Sequence, residues 1–394
     1  MYKLIAVETH PIQYKAPLFR LLAQRDDVDL TVLYAMLPDT RQQGAGFGVA
    51  FDWDQPLLDG YAYEVLENRA KDPGVTHFGG CDTPGVRGVL KRLQPDAVLV
   101  NGWVVKSCLQ ALWACRRLGI PCMVRGEANL LRPRAWWKHA AHRLLLKQYQ
   151  AYLAIGSANR AFYRSHGCPS ERIFNVPYVV NNDWFAQEAE KRVGSRATLR
   201  QQWGITDDAV VFLFVGKLED KKHPGDLLEA LRQMPSALRE RAHVLIAGSG
   251  PLLEVCRAQA EAQALPVTFA GFVNQSVLPD AYAAADVLVL PSDAGETWGL
   301  VVNESMASGR PAIVSLSAGC CEDLVVEGET GHAFEVRDIA ALAGLMCRYV
   351  ENPRWAGEQG QRAREHIAKF SLQVAVAGIV EGVRETLKTE KLKC

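Results

Sequence analysis

The chain repeats one pattern from its first residues to beyond residue 310: a short apolar run rich in Val, Ile and Leu, then a stretch with helical spacing, then another apolar run. A strand that is apolar along its whole length must be covered on both faces, and helical crossovers supply the cover, so the pattern predicts parallel sheets between layers of helices. Strands are expected at 4–8, 30–34, 97–101, 121–125 and 152–155 in the first half, and at 210–215, 243–247, 267–270, 287–290 and 312–314 in the second. With 394 residues the chain exceeds what one core usually holds, and each set of strands is large enough for its own sheet. The fold class expected is α/β, two Rossmann-like doubly wound domains facing across a cleft. The boundary is expected near 183–200, where Asn181-Asn182-Asp183-Trp184-Phe185 leads into a polar stretch. This gives domains at 1–185 and 186–371, then a C-terminal segment, 372–394, with an amphipathic helix whose partner domain is left open.

Charge and cysteine content narrow the function classes. Lys and Arg balance Asp and Glu at 44 each, so the molecule as a whole has no electrostatic footprint for nucleic acid. Residues 1–185 nevertheless hold 22 basic against 16 acidic side chains, which hints at an anionic surface or partner for that half. The ten cysteines form no Cys-x-x-Cys pair, so neither a zinc site nor a disulfide framework is expected. The opening Met1 to Val7 reads as a strand rather than a signal peptide, and no apolar run approaches the roughly 18 residues of a membrane span. A cytoplasmic protein is expected, in solution or on the inner face of the cytoplasmic membrane.

Open doubly wound sheets bind ligands at the carboxyl ends of their strands, so the loops there are read for chemistry. After the strand at 287–290, a helix is expected from Gly299 to Gly309, placing Glu296 in the loop and Glu304 inside a helix of mostly apolar or small residues. A carboxylate on such a helix is costly unless it meets hydrogen-bond donors, and a ribose diol supplies two. The free N–H groups of Gly299, Leu300 and Val301 would face an anion. The bland alternative has Glu296 favouring the helix N-terminus and Glu304 partly exposed at the surface. After the strand at 210–215, Gly216 and the lysines Lys217 and Lys222 bracket a loop that leads into a helix near Pro224. Both ammonium groups can there converge on a diphosphate, in place of a metal, or can simply be solvated.

Taken in order, Val215-Gly216-Lys217-Leu218 with Lys222, Ala247-Gly248-Ser249-Gly250-Pro251, Ala270-Gly271-Phe272-Val273, Ala285-Asp286-Val287, Glu296 and Glu304 with seven residues between them, and Gly309-Arg310-Pro311 resemble the donor domain of family 4 glycosyltransferases. The resemblance implies a GT-B fold and a retaining, metal-independent transferase with no cofactor beyond its nucleotide diphosphate sugar donor. It implies that Glu296 contacts the donor sugar and Glu304 the ribose. Lys217, Lys222 and the backbone at Gly216 and at Gly299 to Val301 would bind the diphosphate, and Phe272 and Val273 would meet the nucleobase. The setting implied is bacterial polysaccharide, lipopolysaccharide or glycoconjugate assembly, with a glycan or lipid-linked acceptor.

The first half departs from the family. Its first loop reads Thr9-His10-Pro11-Ile12-Gln13 where many members carry paired glycines, and Arg125-Gly126-Glu127 stands where several relatives place a histidine. His10 is either a group that reaches the reacting sugar or diphosphate, or a hydrogen-bonded loop histidine. Glu127 either orients the acceptor hydroxyl or pairs with Arg125 or Arg132. Residues 132–147 combine tryptophans, leucines and positive charge in an expected helix, suited to an anionic lipid surface or to covering the sheet with a solvated basic face. Asp27-Val28-Asp29 and Asp52-Trp53-Asp54 are not read as metal sites. Two other functions are weighed: a nucleotide-sugar epimerase on a related fold, for which no acid and base pair is found near the sugar, and a non-catalytic nucleotide-sugar-binding scaffold protein, against which the intact Glu296, Glu304, Lys217 and Lys222 argue.

Overall fold

The computed structural model of the protein describes residues 1–391; residues 392–394 of the expected C-terminal segment lie outside them. The first sheet is all parallel and contains β1 (Tyr2–Glu8), β2 (Val28–Tyr34), β3 (Ala62–Val65), β4 (Ala97–Val100), β5 (Cys122–Val124), β6 (Ala151–Ala154) and β7 (Ile173–Asn175), in the order β3-β2-β1-β4-β5-β6-β7. The second contains β8 (Val210–Val215), β9 (Ala242–Ala247), β10 (Val267–Gly271), β11 (Val287–Leu290), β12 (Ala312–Ser315) and β13 (Gly331–Phe334), also all parallel, in the order β10-β9-β8-β11-β12-β13. In each sheet the order reverses beside the first strand, between β1 and β4 and between β8 and β11. Those switch points are where such sheets open a crevice for ligands.

All ten expected strands are present. The three that the sequence pattern missed, β3, β7 and β13, are sheet edges. β3 is largely exposed, β7 has three residues and β13 opens Gly331-His332, so none carries the unbroken apolar run that marks a central strand.

Contacts divide the chain into two compact units. One comprises residues 1–42, 56–178 and the segment beginning at Leu372; the other comprises 43–55 and 179–371. The division falls a few residues before the expected boundary at 185, for a local reason. Asn181 caps the helix Asn182–Lys191 by accepting from the Trp184 amide at 3.2 Å, and Asn182 donates to the carbonyls of Ile367 and Phe370 at 3.0 Å, tying this helix to the second unit. The C-terminal helix Leu372–Lys391 packs on β6, β7 and the helix Ala16–Ala23 of the first unit. Its Gly378 makes that fit possible, since a Cβ there would lie 1.9 Å from the Asn175 carbonyl oxygen. Taken together, 354–388 is long and apolar enough by composition to cross a membrane, contrary to the expectation that no such run exists; half of its most apolar window is buried inside the protein.

Candidate active site

In the second unit, β11 delivers the chain into a loop that its own hydrogen bonds fix. Asp293 accepts from the Gly295 amide at 2.7 Å with its carboxylate and from the Glu296 amide at 2.9 Å with its carbonyl, while Gly319 donates to the Glu296 carbonyl at 3.1 Å. Glu296 so placed forms an ion pair with Lys222, both side chains being 13% exposed. Gly299 then turns the chain at φ +113°, and a Cβ there would come within 2.6 Å of Leu290 Cδ2, so any larger residue is strained at this position. The helix Leu300–Ala307 begins at once. Its first amides have no intrahelical acceptors and form an end suited to an anion.

Glu304 sits within that helix and is buried, 8% exposed. It finds the donors that the sequence says it needs. Tyr282 donates its hydroxyl to Oε2 at 2.7 Å, and the Gln275 side chain is a second hydrogen-bond partner. Burial raises the carboxyl pKa from 4.5 to about 7, against the opposing influence of Tyr282, Gln275 and Lys222. The surface alternative for Glu304 is thereby set aside. Neither Tyr282 nor Gln275 was legible beforehand; the tyrosine lies in an alanine-rich helix, Leu278–Ala284, that reads as plain core.

The loop after β8 lies against the loop after β9. A Cβ on Gly248 would sit 1.9 Å from the Gly216 carbonyl oxygen, and the Leu218 amide donates to the Ser249 carbonyl at 3.0 Å. Lys222 arches over Gly216, where a Cβ would lie 3.7 Å from its Nζ. Lys217, which feels the charge of Lys222, is engaged by the segment at 43–55. Its ammonium donates to the Ala45 carbonyl at 2.7 Å and lies 4.9 Å from the Phe47 ring centroid, and burial lowers its pKa. Phe272 and Val273 follow β10 as expected, with Phe272 under a second aromatic ring. Phe51 lies on it at 4.1 Å between centroids and Phe47 meets its edge at 5.1 Å. Asp52, through its backbone, and Asp54, through its side chain, hold this covering segment. The Asp52 carbonyl accepts from Asn274 at 2.8 Å, and the Asp54 carboxylate accepts from the Ser276 amide at 3.1 Å.

In the first unit, His10 and Glu127 follow β1 and β5. His10 Nδ1 lies 2.9 Å from Thr9 Oγ1, and burial, helped by Lys15, lowers its pKa to about 4, so the ring is neutral at pH 7. Glu127 accepts from the Tyr178 hydroxyl at 2.7 Å, and Tyr178 packs edge-on against Tyr14 and under the Arg125 guanidinium. The sequence reading missed the buried Glu8–Lys15 ion pair beside them, 2.7 Å long. A glutamate closing the apolar run Leu4 to Val7 was the available signal. Asp27 is engaged by Arg25 at 2.7 Å. Within 132–147 the helix runs Trp136–Leu146, with Leu146 its only buried residue and Trp136 81% exposed.

Residues 195–367 match the family described as Glycosyl transferases group 1, and residues 18–178 match the Glycosyl transferase 4-like domain. The D-inositol 3-phosphate glycosyltransferase of Geodermatophilus obscurus is 36% identical over 226 residues, covering 55% of this chain and 48% of that protein. The chain spans about half the length of the D-inositol 3-phosphate glycosyltransferases that it matches. The GDP-mannose-dependent alpha-(1-6)-phosphatidylinositol dimannoside mannosyltransferase of Mycobacterium tuberculosis is 27% identical over 319 residues, 75% of this chain and 76% of that one. Anabaena Alr3699/HepE, solved with UDP and glucose, superposes with a TM-score of 0.73 at 17% identity, over 98% of this chain and 100% of that one. The fold is therefore of the GT-B type.

Proposed function

The chain belongs to the group 1 glycosyltransferases of family 4, and from that premise we propose that it is a retaining, metal-independent glycosyltransferase. It moves a sugar from a nucleotide diphosphate donor to a hydroxyl of a glycan, lipid-linked saccharide or other glycoconjugate. The observation that carries this reading is the Lys222–Glu296 pair beside the glycine-opened helix that buries Glu304. Lys222 and the helix amides take the diphosphate, Glu296 the sugar hydroxyls and Glu304 the ribose. Lys217 adds a second ammonium once it leaves Ala45.

In the reaction the bond from the anomeric carbon to the phosphate oxygen breaks as the acceptor oxygen bonds to the same face of that carbon. The acceptor's proton passes to the departing phosphate oxygen. Charge builds on the diphosphate, and Lys222 with the helix end offers fixed positive potential there, the kind of preorganised electrostatics that lowers such barriers most. This arrangement lets lysines serve where other transferases use a metal. The relatives named for GDP-mannose and the neighbour solved with UDP leave guanosine and uridine donors as the two to test first.

The protein works in the cytoplasm at the inner face of the membrane, in assembly of a bacterial polysaccharide, lipopolysaccharide or glycoconjugate. Support for the membrane contact comes from Trp136, Trp137 and Leu144, 81%, 55% and 66% exposed on a helix that also carries Lys138 and Arg143.

The test is turnover of UDP and GDP sugars in EDTA, read by nucleoside diphosphate release, with proton NMR of the first-formed product. Release in EDTA with the donor's anomeric configuration kept is the expected result. An inverted product contradicts retention, dependence on added magnesium contradicts metal independence, and no release from any donor contradicts transfer.

A further inference from the structure

Residues 43–55 lie in sequence between β2 and β3, yet they belong to the second unit. Their contacts fall on two groups that a nucleoside diphosphate would need. Phe51 covers Phe272 with ring centroids 4.1 Å apart and planes 30° from parallel, a separation that leaves no room for a base between them. Phe47 closes the edge at 5.1 Å, and Trp53 backs Phe51 at 4.9 Å. The Ala45 carbonyl holds the Lys217 ammonium at 2.7 Å, and Gly46 passes so close that a Cβ would lie 2.8 Å from Nζ. Beyond these contacts the segment is anchored by Asp52 on Asn274 and by Asp54 on Ser276.

An aromatic face and an acceptor oxygen are what a nucleotide's base and diphosphate present. We infer that residues 43–55 are an internal competitor for the nucleotide subsite, with Phe51 in the place of the base and the Ala45 carbonyl in the place of a diphosphate oxygen. The inference rests on the donor reading given above. The donor enters by peeling the segment away, which releases Lys217 for the diphosphate and uncovers Phe272 for the base. While the segment is down the site is closed, so the measured affinity is the intrinsic one reduced by the open fraction. Loosening the segment therefore tightens nucleotide binding.

The experiment measures Kd for UDP and GDP by calorimetry in EDTA, for the wild type, Phe51→Ala, Asp54→Ala and Glu304→Ala. Hydrogen exchange of residues 43–55 is followed with and without saturating nucleotide. Asp54→Ala removes an anchor without touching the covered groups. Both loosened variants should bind about fivefold or more tightly, and exchange in 43–55 should speed up when nucleotide binds. A wild type that binds nothing while Phe51→Ala binds would be the same result in stronger form. Wild-type binding that Phe51→Ala weakens or leaves unchanged, or slower exchange in 43–55 on binding, overturns the inference alone, because Phe51 would then be a wall of the site or irrelevant to it. Absence of binding in every folded variant removes the donor reading, and the inference with it.

Discussion

The two sheets share a topology but furnish their carboxyl ends differently. In the second unit the loops after β8, β9 and β11 approach through glycines, and among their charged pairs Lys222 with Glu296 keeps 13% exposure on each side chain. In the first unit the corresponding loops are filled by side chains. Glu8 and Lys15 pair at 1% and 11% side-chain exposure, and Tyr14, Tyr178 and Arg125 pack around Glu127. On the proposed reading the first of these ends admits an anion along the backbone, while in the other Glu8 and Lys15 are buried against one another. A charged group in the second unit should therefore matter more to binding and turnover, and one in the first more to folding.

The largest expected effect is on Lys222→Ala, which removes the cation beside the helix end. Turnover should fall about 100- to 1,000-fold, measured as nucleoside diphosphate release at saturating donor, with the fold retained by circular dichroism. A fall in stability with turnover unchanged would erase the contrast between the units.

Lys15→Ala should do the opposite. It leaves Glu8, whose carboxyl pKa burial already raises, without its cation in the core of the first unit. A loss of about 3 kcal/mol is expected in urea denaturation, while nucleotide affinity stays at the wild-type value. Replacing both partners, Glu8→Gln with Lys15→Met, should recover part of that loss, since no uncompensated charge remains.

Glu304 sharpens the comparison through pH. Its folded pKa of about 7 exceeds the ordinary 4.5, so the folded chain keeps a proton that the unfolded chain releases between those values. The stabilising effect is complete below pH 4.5 and is lost as the pH rises through 7, by up to about 3 kcal/mol. Glu304→Gln lacks this dependence. The Tm difference between variant and wild type should be small at pH 5 and favour the variant at pH 8; an equal difference at both would show a carboxylate that is ionised throughout.

The smallest effect is Gly299→Ala. With φ at +113° and Leu290 Cδ2 2.6 Å from the added carbon, it should cost about 2 kcal/mol in denaturant titrations and weaken nucleotide binding by shifting the helix start. Wild-type stability and affinity would mean that the turn is not needed for the site.

This contrast also decides what the sequence could reveal. Central strands such as 210–215 are covered on both faces and announce themselves as unbroken apolar runs, whereas β3, β7 and β13 lie at edges and carry mixed residues. The close approach of the second unit's loops was legible because loops that meet through backbone leave a pattern in sequence: glycines at 216, 248, 250 and 299, with Lys222, Glu296 and Glu304 at fixed offsets. What could not be read was contact between distant parts of the chain. Nothing in Gly44-Ala45-Gly46-Phe47 indicates that Lys217 will find its acceptor there, and nothing near Glu304 points to Tyr282 or Gln275. The Glu8–Lys15 pair, though only seven residues apart, depends on a strand and a turn meeting in three dimensions. Nor could the sequence show that the carbonyl engaging Lys217 lies 172 residues earlier in the chain.

The central claim is that the second unit binds a nucleoside diphosphate through Lys222 and Glu304. Its most direct test is thermal unfolding in EDTA with UDP and GDP, each well above its dissociation constant, on the wild type, Lys222→Ala and Glu304→Ala. A ligand that binds only the folded state adds stability in proportion to the logarithm of its concentration over Kd. At least one nucleotide should raise the wild-type Tm, and neither variant should respond. A folded wild type that responds to neither nucleotide, with a folded Phe51→Ala equally silent, or Lys222→Ala and Glu304→Ala variants that respond as the wild type does, would contradict the account.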